Sequence, residues 1–421
     1  MIAEILATGD EIRSGTLVDS NSAHIAQKLE ETGVPVVRHH SVGDDIPVMG
    51  SVLREIGLRA DICVVTGGLG PTSDDLTAEA AADAAGVSLI QSPEALEMVE
   101  SFFRTFHRPI TASNIKQSYL PDGSTCLPNP IGTAPGFMMK LGRCLFFFLP
   151  GVPVEMRRML SESVLPRIET LIGGVLQVCR VKTLTTFGLT ESLTGEKLKG
   201  FSTVFPEIQL GFRAKFPEIQ VKFYVRGTDA EKVEMLIREA NDWVSEKLGH
   251  KLISADGQSM EAVVGRLLSQ QQSTIAVAES CTGGLIANWL TNVAGSSDYF
   301  LYSGVVYANQ AKVSLLGVSQ DTLNRHGAVH EATAGEMALR VRQITGATYG
   351  LSTSGIAGPG GGTDEKPVGT VCIGLATPND VRAYRFHYRF RSREMNKQMF
   401  AMMALDMLRL ELLGIRPASL S

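Results

Sequence analysis

The stretch STIAVAESCTGGLIANWLTNVAG, residues Ser273 to Gly295, predicts how the C-terminal part of this chain folds. An apolar run of strand length, STIAVAE, is followed by a polar turn with two glycines and by a helical pattern that stops at a glycine. The order of strand, loop and helix recurs downstream, which is typical of an α/β domain with a mainly parallel sheet. Functional loops in such domains lie at the carboxyl ends of the strands.

The same alternation occurs at the N-terminus, where the apolar run 2–7 is followed by a polar turn, a helical pattern and two further strand patterns. Between the two regions, period-two strands and one long helical pattern indicate a smaller α+β unit. The length of 421 residues suits two or three domains. We therefore expect two three-layer α/β domains, 1–173 and 257–421, joined by a small α+β domain, 174–256.

Composition narrows the class of protein. Hydrophobic residues make up 44% and charged residues 20% of the chain, as in globular proteins, and the formal net charge of −5 gives no electrostatic footprint for nucleic acid or an anionic membrane. No apolar run approaches the roughly 18 residues that a membrane span needs, and the first residues lack a signal-peptide pattern. We expect a cytoplasmic protein with neither a nucleic-acid nor a membrane partner.

Six cysteines lie far apart without CxxC spacing, which argues against a disulfide framework and against a zinc site. We expect most of them to be small buried hydrophobic residues.

Ser280 lies where a buried strand ends and a helix begins, next to Gly283 and Gly284. A hydroxyl in that position suits a nucleophile, because unpaired N–H groups at the start of a helix can hold an oxyanion or a phosphate. The alternative is that Ser280 or Thr282 is only the N-cap of the helix.

A serine nucleophile needs a base. His326, His330 and His387 do not follow glycine-flanked strand ends, and we expect them at the surface. A desolvated lysine can do the same work, and Lys312 follows the apolar strand that Tyr307 ends. The tyrosine hydroxyl could relay the proton or orient the amine. A solvated helix residue is the competing interpretation of Lys312.

The segment TSGIAGPGGGTDEKPVGTV, Thr353 to Val371, contains five glycines between Gly355 and Gly362. Such a loop lets backbone amides approach a ligand, and a phosphate-bearing substrate is the natural expectation. Neither the Walker A order nor a GxGxxG fingerprint is present. Lys366 could neutralise a phosphate or simply be exposed.

Five motifs in order, AESCTGG, AGSSDYF, GVVYANQAK, HGAV and SGIAGPGGGTDEKPVGTV, resemble the C-terminal domain of the CinA family, the nicotinamide mononucleotide deamidases. The resemblance implies a serine amidohydrolase in which Ser280 attacks, Lys312 assists as its pair and Tyr307 supports the lysine. It implies release of ammonia and nicotinate mononucleotide, no cofactor for this reaction, and a homodimer. Cys281 is then expected to be a packed residue.

Beside the catalytic three, the resemblance leads us to expect substrate contacts from turn and loop residues, with Thr282 and Gly283 as oxyanion donors. These are Thr282, Gly283, Gly284, Ser296, Ser297, Gly355, Gly358, Gly360 and Gly361.

The N-terminal region carries TGDEIRSG, SVGDD, TGGLGPTSDDLT, NPIGTAPGF and LPGVPVEM, several of them directly after strands. Carboxylates there either stabilise helix starts or, if they converge, bind a divalent cation that holds a pyrophosphate. The motifs resemble the molybdopterin-binding domain fused at the front of CinA proteins. That resemblance implies metal-dependent hydrolysis of ADP-ribose to AMP and ribose 5-phosphate.

The expected pyrophosphatase residues are Asp10, Glu11, Asp44, Gly68, Asp74, Asp75 and Glu155. Asp74, Asp75 and Asp10 are the expected metal ligands. The sequence leaves the divalent ion open among Co, Mg and Mn, with K⁺ as a further candidate. Two alternatives remain: an N-terminal domain that only binds a pterin or nucleotide, and a scaffold in competence or the response to DNA damage.

Overall fold

A computed structural model describes residues 1–173, 178–390 and 392–415 of the chain. The chain contacts divide it into two compact units, Met1–Val181 with Val225–Met235, and Lys182–Tyr224 with Leu236–Ser421. The division into three domains, 1–173, 174–256 and 257–421, stays a prediction.

The N-terminal domain is built on one large sheet and a two-stranded ribbon. Its strands are β1 (Ala3–Thr8), β2 (Val36–Val42), β3 (Ile62–Thr66), β4 (Leu89–Gln91), β5 (Tyr119–Pro121), β6 (Thr125–Leu127), β7 (Gly136–Leu141) and β8 (Cys144–Leu149). The large sheet has the order β2-β1-β3-β8-β7-β6, and β4 pairs with β5. The first four strands of the sheet are parallel and the last two pairings are antiparallel, as the mainly parallel expectation requires.

Helices cover both faces of this sheet. They are α1 (Asp10–Arg13), α2 (Ser20–Glu31), α3 (Ile46–Arg59), α4 (Thr77–Ala85), α5 (Pro93–Thr105), α6 (Ala112–Lys116), α7 (Pro153–Met159) and α8 (Leu165–Ile172), with a π-helical turn, Leu160–Val164, before α8. Because side chains alternate along a strand, Leu6 belongs to the core under α3 and α4, whereas Ile5 belongs to the core under α2 and α7. The domain therefore has three layers.

A smaller sheet follows. Its strands are β9 (Val178–Thr186), β10 (Ile208–Lys215), β11 (Glu218–Gly227) and β12 (Leu252–Ser254), in the order β10-β11-β9-β12. Three helices accompany it: α9 (Glu191–Lys197), α10 (Phe201–Val204) and α11 (Ala230–Leu248). The rings of Phe201 and Phe223 stack with centroids 5.3 Å apart, and Trp243 meets Phe201 edge-on. This is the expected small α+β arrangement.

The C-terminal domain has a five-stranded sheet of order β14-β13-β15-β16-β17. The strands are β13 (Ile275–Glu279), β14 (Phe300–Val305), β15 (Tyr349–Gly355), β16 (Thr370–Ala376) and β17 (Val381–His387). The helices are α12 (Met260–Gln270), α13 (Leu285–Thr291), α14 (Asn309–Ser314), α15 (Gln320–His326), α16 (Glu331–Thr345) and α17 (Arg393–Leu412). β13 is parallel to both β14 and β15, and the last two pairings are antiparallel, so this sheet is half parallel and not mainly parallel as expected.

Two cores again flank the sheet. Val277 packs with α12, α13 and α17, whereas Ala276 and Ala278 pack with residues that include Met337 of α16. The predicted fold class of two three-layer α/β domains and a small α+β domain is thus confirmed.

All six cysteines are buried and free, as expected. In the described part of the chain, no helix is both long and apolar enough to cross a membrane.

Candidate active site

Ser280 is the first residue after β13. Its N–H donates to the Thr353 carbonyl on β15 over 3.0 Å, and the hydroxyls of Thr282 and Thr353 lie 2.8 Å apart. These bonds hold the turn against the neighbouring strand. The first helical residue of α13 is Leu285 and its N-cap is Gly284, so the interpretation of Ser280 or Thr282 as a mere N-cap is wrong.

Lys312 lies in the last turn of the short helix α14 and is only 1% exposed. Its Nζ donates to Ser280 Oγ over 3.2 Å and to the carbonyls of Val306 and Tyr307 over 2.9 and 3.0 Å. Burial lowers the pKa of the Lys312 ammonium below its usual value. The predicted pair of serine and lysine is therefore in contact, and the interpretation of Lys312 as a solvated residue is wrong.

Glu279 ends β13 and is fully buried. Its carboxylate accepts the N–H groups of Gly284, Ile286 and Ala287 at 2.9, 3.3 and 2.9 Å. The Gly283 N–H donates to the Ser280 carbonyl. The N–H groups of Gly283 and Gly284 are therefore both bonded within the protein. The expectation that Gly283 supplies an oxyanion donor is corrected, and so is the expectation that the N–H groups at the start of the helix bind the substrate.

Tyr307 meets the pair through its main chain. Its carbonyl accepts from Lys312 Nζ, whereas its side chain is 59% exposed and its hydroxyl accepts from Arg393 Nη2 over 3.1 Å. Within the described residues, the Tyr307 hydroxyl makes no bond to either member of the pair. A relay of the proton through that hydroxyl stays a prediction.

Two cations at the start of α17 complete this region. Arg393 Nη1 donates to the Gly358 carbonyl of the glycine-rich loop over 2.6 Å. A Cβ placed on Gly283 would lie 3.5 Å from Lys397 Nζ, so the lysine reaches the turn of the nucleophile. Sequence reasoning missed both residues, although their spacing of four places them on one face of the predicted helix.

The glycine-rich loop contributes positions that demand glycine. Gly358 and Gly361 both have φ of 86°, a region that side chains disfavour. Asn396 Nδ2 donates to the Ala357 carbonyl, which ties the loop to α17 beside Arg393. The loop is therefore bonded to the start of α17, where Arg393 lies, while contacts of Gly355, Gly360 and Gly361 with a substrate stay predictions.

Some predicted residues are not brought to Ser280. Ser296 and Ser297 form a turn before β14, whose first residue pairs with Ile275 at the opposite end of β13. Within the chain they lie away from the nucleophile, because parallel strands share their ends. Their role in substrate binding stays a prediction.

Cys281 and His330, two other candidates for nucleophile and base, have structural roles, and His387 is exposed. Burial raises the pKa of the Cys281 thiol to about 12, in keeping with a packed residue. His330 Nδ1 accepts the Ala332 N–H and caps α16, and Lys366 Nζ donates to the His326 carbonyl.

The N-terminal domain has its own cavity of about 370 Å³ at the carboxyl ends of β1, β3 and β8. Gly67 and Gly68 follow β3 with φ of 114° and 63° and open the strand end. A Cβ on Gly68 would lie 2.2 Å from Thr77 Oγ1. The cavity is therefore at the strand edge where an α/β sheet binds its ligand.

Of the seven expected pyrophosphatase residues, six line this cavity: Glu11, Asp44, Gly68, Asp74, Asp75 and Glu155. Asp10 is not among its lining residues, and its carboxylate pairs with Arg13 at 3.1 Å. Asp75 accepts the Thr72 N–H at 2.8 Å, which commits one oxygen to the loop. The expected metal ligands Asp74, Asp75 and Asp10 stay a prediction.

A divalent cation still fits the donor chemistry. Across the described ranges no three His, Cys, Asp or Glu side chains are grouped to hold a metal ion. Burial raises the pKa of the Asp44 carboxyl, and the charges of Asp10, Glu11 and Asp74 raise it further. A cation bound to Asp44 and Asp74 would relieve that repulsion, and Mg²⁺ commonly uses only one or two carboxylates beside substrate phosphates.

Asn21 was missed at this cavity. Its Nδ2 donates to Thr66 Oγ1 at 3.1 Å and to the Gly151 carbonyl at 2.8 Å, which joins α2 to the ends of β3 and β8. In the sequence, the only signal for Asn21 is its position at the start of an apolar helical pattern.

Comparison with known proteins identifies the family of this chain. Residues 257–412 match the CinA C-terminal domain, residues 4–170 match the probable molybdopterin binding domain, and residues 181–253 match the damage-inducible protein CinA KH domain. A CinA-like protein of Desulfosudis oleivorans is 53% identical over 98% of this chain and 100% of its own length. The chain belongs to the CinA family.

A second CinA-like protein, from Desulforapulum autotrophicum, is 49% identical over 98% of this chain and 99% of its own length. Among solved structures, the competence/damage inducible protein of Agrobacterium tumefaciens is 36% identical, with a TM-score of 0.35, over 37% of this chain and 96% of its own. The two CinA-like relatives carry the family assignment over 98% of this chain.

Proposed function

We propose that this CinA-family protein hydrolyses the carboxamide of nicotinamide mononucleotide to nicotinate mononucleotide and ammonia. The observation that carries the proposal is the buried Lys312 Nζ, 3.2 Å from Ser280 Oγ. Desolvation lowers the pKa of the lysine and so favours the neutral amine, which is the form that can accept the serine proton.

In the acylation step, Ser280 Oγ bonds to the carboxamide carbon while Lys312 Nζ takes the hydroxyl proton and the carbonyl electron pair moves onto oxygen. The C–N bond then breaks, and Lys312 returns the proton to the departing nitrogen, which leaves as ammonia. In the second step Lys312 takes a proton from water, whose oxygen attacks the ester. Ser280 Oγ leaves with that proton, and the acid is released.

The 5′-phosphate and ribose distinguish this substrate from a simple amide. Arg393 and Lys397 lie one helical turn apart on α17, and their contacts reach the glycine-rich loop and the nucleophile turn respectively. We propose that these two cations bind the phosphate, because paired cations next to backbone amides form a natural phosphate site.

Ammonia release from nicotinamide mononucleotide by the wild type and by Ser280→Ala tests the proposal. We expect release by the first and loss of at least about 10³-fold in the second, because the serine is the group that forms the acyl-enzyme. Ser314→Ala is a matched control, since its hydroxyl donates to the Gln310 carbonyl within α14. No ammonia from the wild type would refute the substrate assignment.

We also propose a second activity, the metal-dependent hydrolysis of ADP-ribose to AMP and ribose 5-phosphate in the N-terminal cavity. The carboxylates that line the cavity support it. A divalent ion held by Asp44 and Asp74 would neutralise the diphosphate, while Asn21 and the Gly67–Gly68 turn shape the floor.

AMP release with Co²⁺, Mg²⁺ or Mn²⁺, with and without K⁺, tests this activity in the wild type and in Asp74→Ala. Ligand binding without AMP release would favour the alternative that the domain only binds a nucleotide or pterin.

A scaffold in competence or DNA damage is the other alternative. The net charge of −5 weighs against direct DNA contact. Salt-sensitive DNA binding by the purified protein would support the scaffold alternative. A cytoplasmic location and a homodimer remain part of the proposal.

A further inference from the structure

Glu279 is a buried carboxylate directly before the nucleophile, and the mechanism above does not use it. It is fully buried, and both of its oxygens accept hydrogen bonds. Oε2 accepts from Gly284 and Ile286, and Oε1 accepts from Ala287 and, over 3.4 Å, from the Ser303 hydroxyl. One side chain thus joins the start of α13 to the end of β13 and to β14.

This arrangement decides which amides can face a substrate. Within the turn Ser280–Gly284, the N–H of Ser280 donates to Thr353, that of Gly283 to Ser280, and that of Gly284 to Glu279. Among the described residues, the N–H groups of Cys281 and Thr282 donate to no main-chain carbonyl. The N–H of the residue after a nucleophile is a usual oxyanion donor, and a second nearby N–H completes the oxyanion hole.

The main chain of Glu279 also reaches the lysine. Its carbonyl accepts the Val306 N–H over 2.9 Å, and the Val306 carbonyl accepts from Lys312 Nζ over 2.9 Å. The residue that fixes the turn of the nucleophile is therefore bonded to the segment that fixes the base.

We propose that Glu279 is a positioning residue, which binds the amides of α13 so that the N–H groups of Cys281 and Thr282 are left to stabilise the oxyanion. This inference rests on the proposed amidohydrolase function. The Glu279 carboxylate touches neither the substrate nor the reacting atoms, and it acts by holding the turn in the geometry that points the two amides at the developing charge.

Glu279→Gln is the direct test, because the amide has nearly the same shape but places an NH₂ group opposite a backbone N–H donor. We expect kcat for ammonia release to fall about 10²-fold, the cost of one misplaced oxyanion donor, while KM stays within about threefold. Glu279→Asp keeps the charge but is one methylene shorter, and we expect an intermediate kcat.

Asp406→Asn is the matched control. Asp406 is another buried carboxylate of the same unit, paired with Arg409 and away from the turn. We expect this variant to be less stable than the wild type but to keep its kcat. An equal fall of kcat in both variants, in step with the folded fraction, would reduce Glu279 to a structural role and overturn the proposal.

A fluorophosphonate probe separates this inference from the choice of substrate. Its reaction with Ser280 needs the nucleophile and the oxyanion donors but not the nucleotide, and mass spectrometry reports the rate. We expect the rate to fall about 10²-fold in Glu279→Gln. Labelled wild type that releases no ammonia would refute the proposed substrate alone, whereas unlabelled wild type would refute the oxyanion assignment as well.

The crystal structure of the phosphonylated wild type needs no variant to fold. We expect the phosphoryl oxygen within hydrogen-bond distance of the amides of Cys281 and Thr282. An oxygen that points to any other donor would overturn the proposal.

Discussion

Replacement of Lys312 by methionine removes the amine and keeps most of the side-chain volume. General acid–base catalysis contributes about 10²- to 10⁴-fold, or roughly 3 to 5.5 kcal/mol at 1.36 kcal/mol per tenfold. Since Lys312 serves as base and then as acid in the same step, we expect a loss of kcat/KM near the upper end, about 10⁴-fold.

The fold should tolerate this change. The Val306 and Tyr307 carbonyls lose their donor, at roughly 1–3 kcal/mol for each buried acceptor left unpaired. The variant, however, no longer has to bury a polar amine, and this gain in stability offsets the lost hydrogen bonds. The two effects oppose each other, and we expect a net change in the free energy of unfolding below about 2 kcal/mol.

The pH dependence gives a second readout. Below its folded pKa, Lys312 is protonated and cannot accept the serine proton, so wild-type kcat/KM falls on the acid side. For stability, the lowered pKa means that the unfolded chain binds more protons between the folded and unfolded pKa values of the lysine. Wild-type stability therefore gains from rising pH in that window, and Lys312→Met lacks this gain.

Ammonia release from pH 6 to pH 10 and calorimetric unfolding at both ends of that range measure these effects. A Lys312→Met variant with more than a tenth of wild-type kcat/KM, or with an unchanged acid limb, would refute the role of the lysine as base.

Other substitutions probe single contacts. Cys281→Ala should keep kcat within about twofold, because the thiol is buried with a pKa of about 12 and only its main chain is needed; a folded variant that releases no ammonia would move the nucleophile to the cysteine. Gly369→Ala should lower the free energy of unfolding by more than about 2 kcal/mol, because φ at this residue is 97° and an added Cβ would clash with the Tyr388 carbonyl oxygen. Calorimetry measures the change, and Gly360→Ala, where an added Cβ has open space, is the control. Asp44→Ala should abolish AMP release, because Asp44 is one of the two proposed cation ligands, and should leave ammonia release unchanged; equal loss of both would indicate general misfolding.

Much of the fold could be predicted from local patterns. Strands such as β13 and β15 and the glycine stops of their helices are visible in the chain, and the approach of Lys312 to Ser280 followed from a family resemblance. The burial of Lys312 could not be read, because it depends on how α14 turns back after Tyr307.

The positions of other site residues depend on pairing across the sheet. In the sequence, Glu279 is only the last residue of an apolar strand. The structure shows that its carboxylate accepts hydrogen bonds from the helix N–H groups that the glycine pattern had led us to expect at a ligand. Ser296 and Ser297 are near Ser280 in the sequence but lie at the opposite end of β13. The connection between two parallel strands returns the chain to the end of the sheet at which both strands begin.

The activity of the protein depends on the register in which β13 pairs with β14, where Glu279 lies opposite Val305. A slip of one residue would turn every side chain of a strand to the other face of the sheet and would separate serine from amine. Circular dichroism would barely register such a slip, whereas hydrolysis would stop. Recovery of ammonia release during refolding would therefore time the moment at which these two strands reach their native alignment.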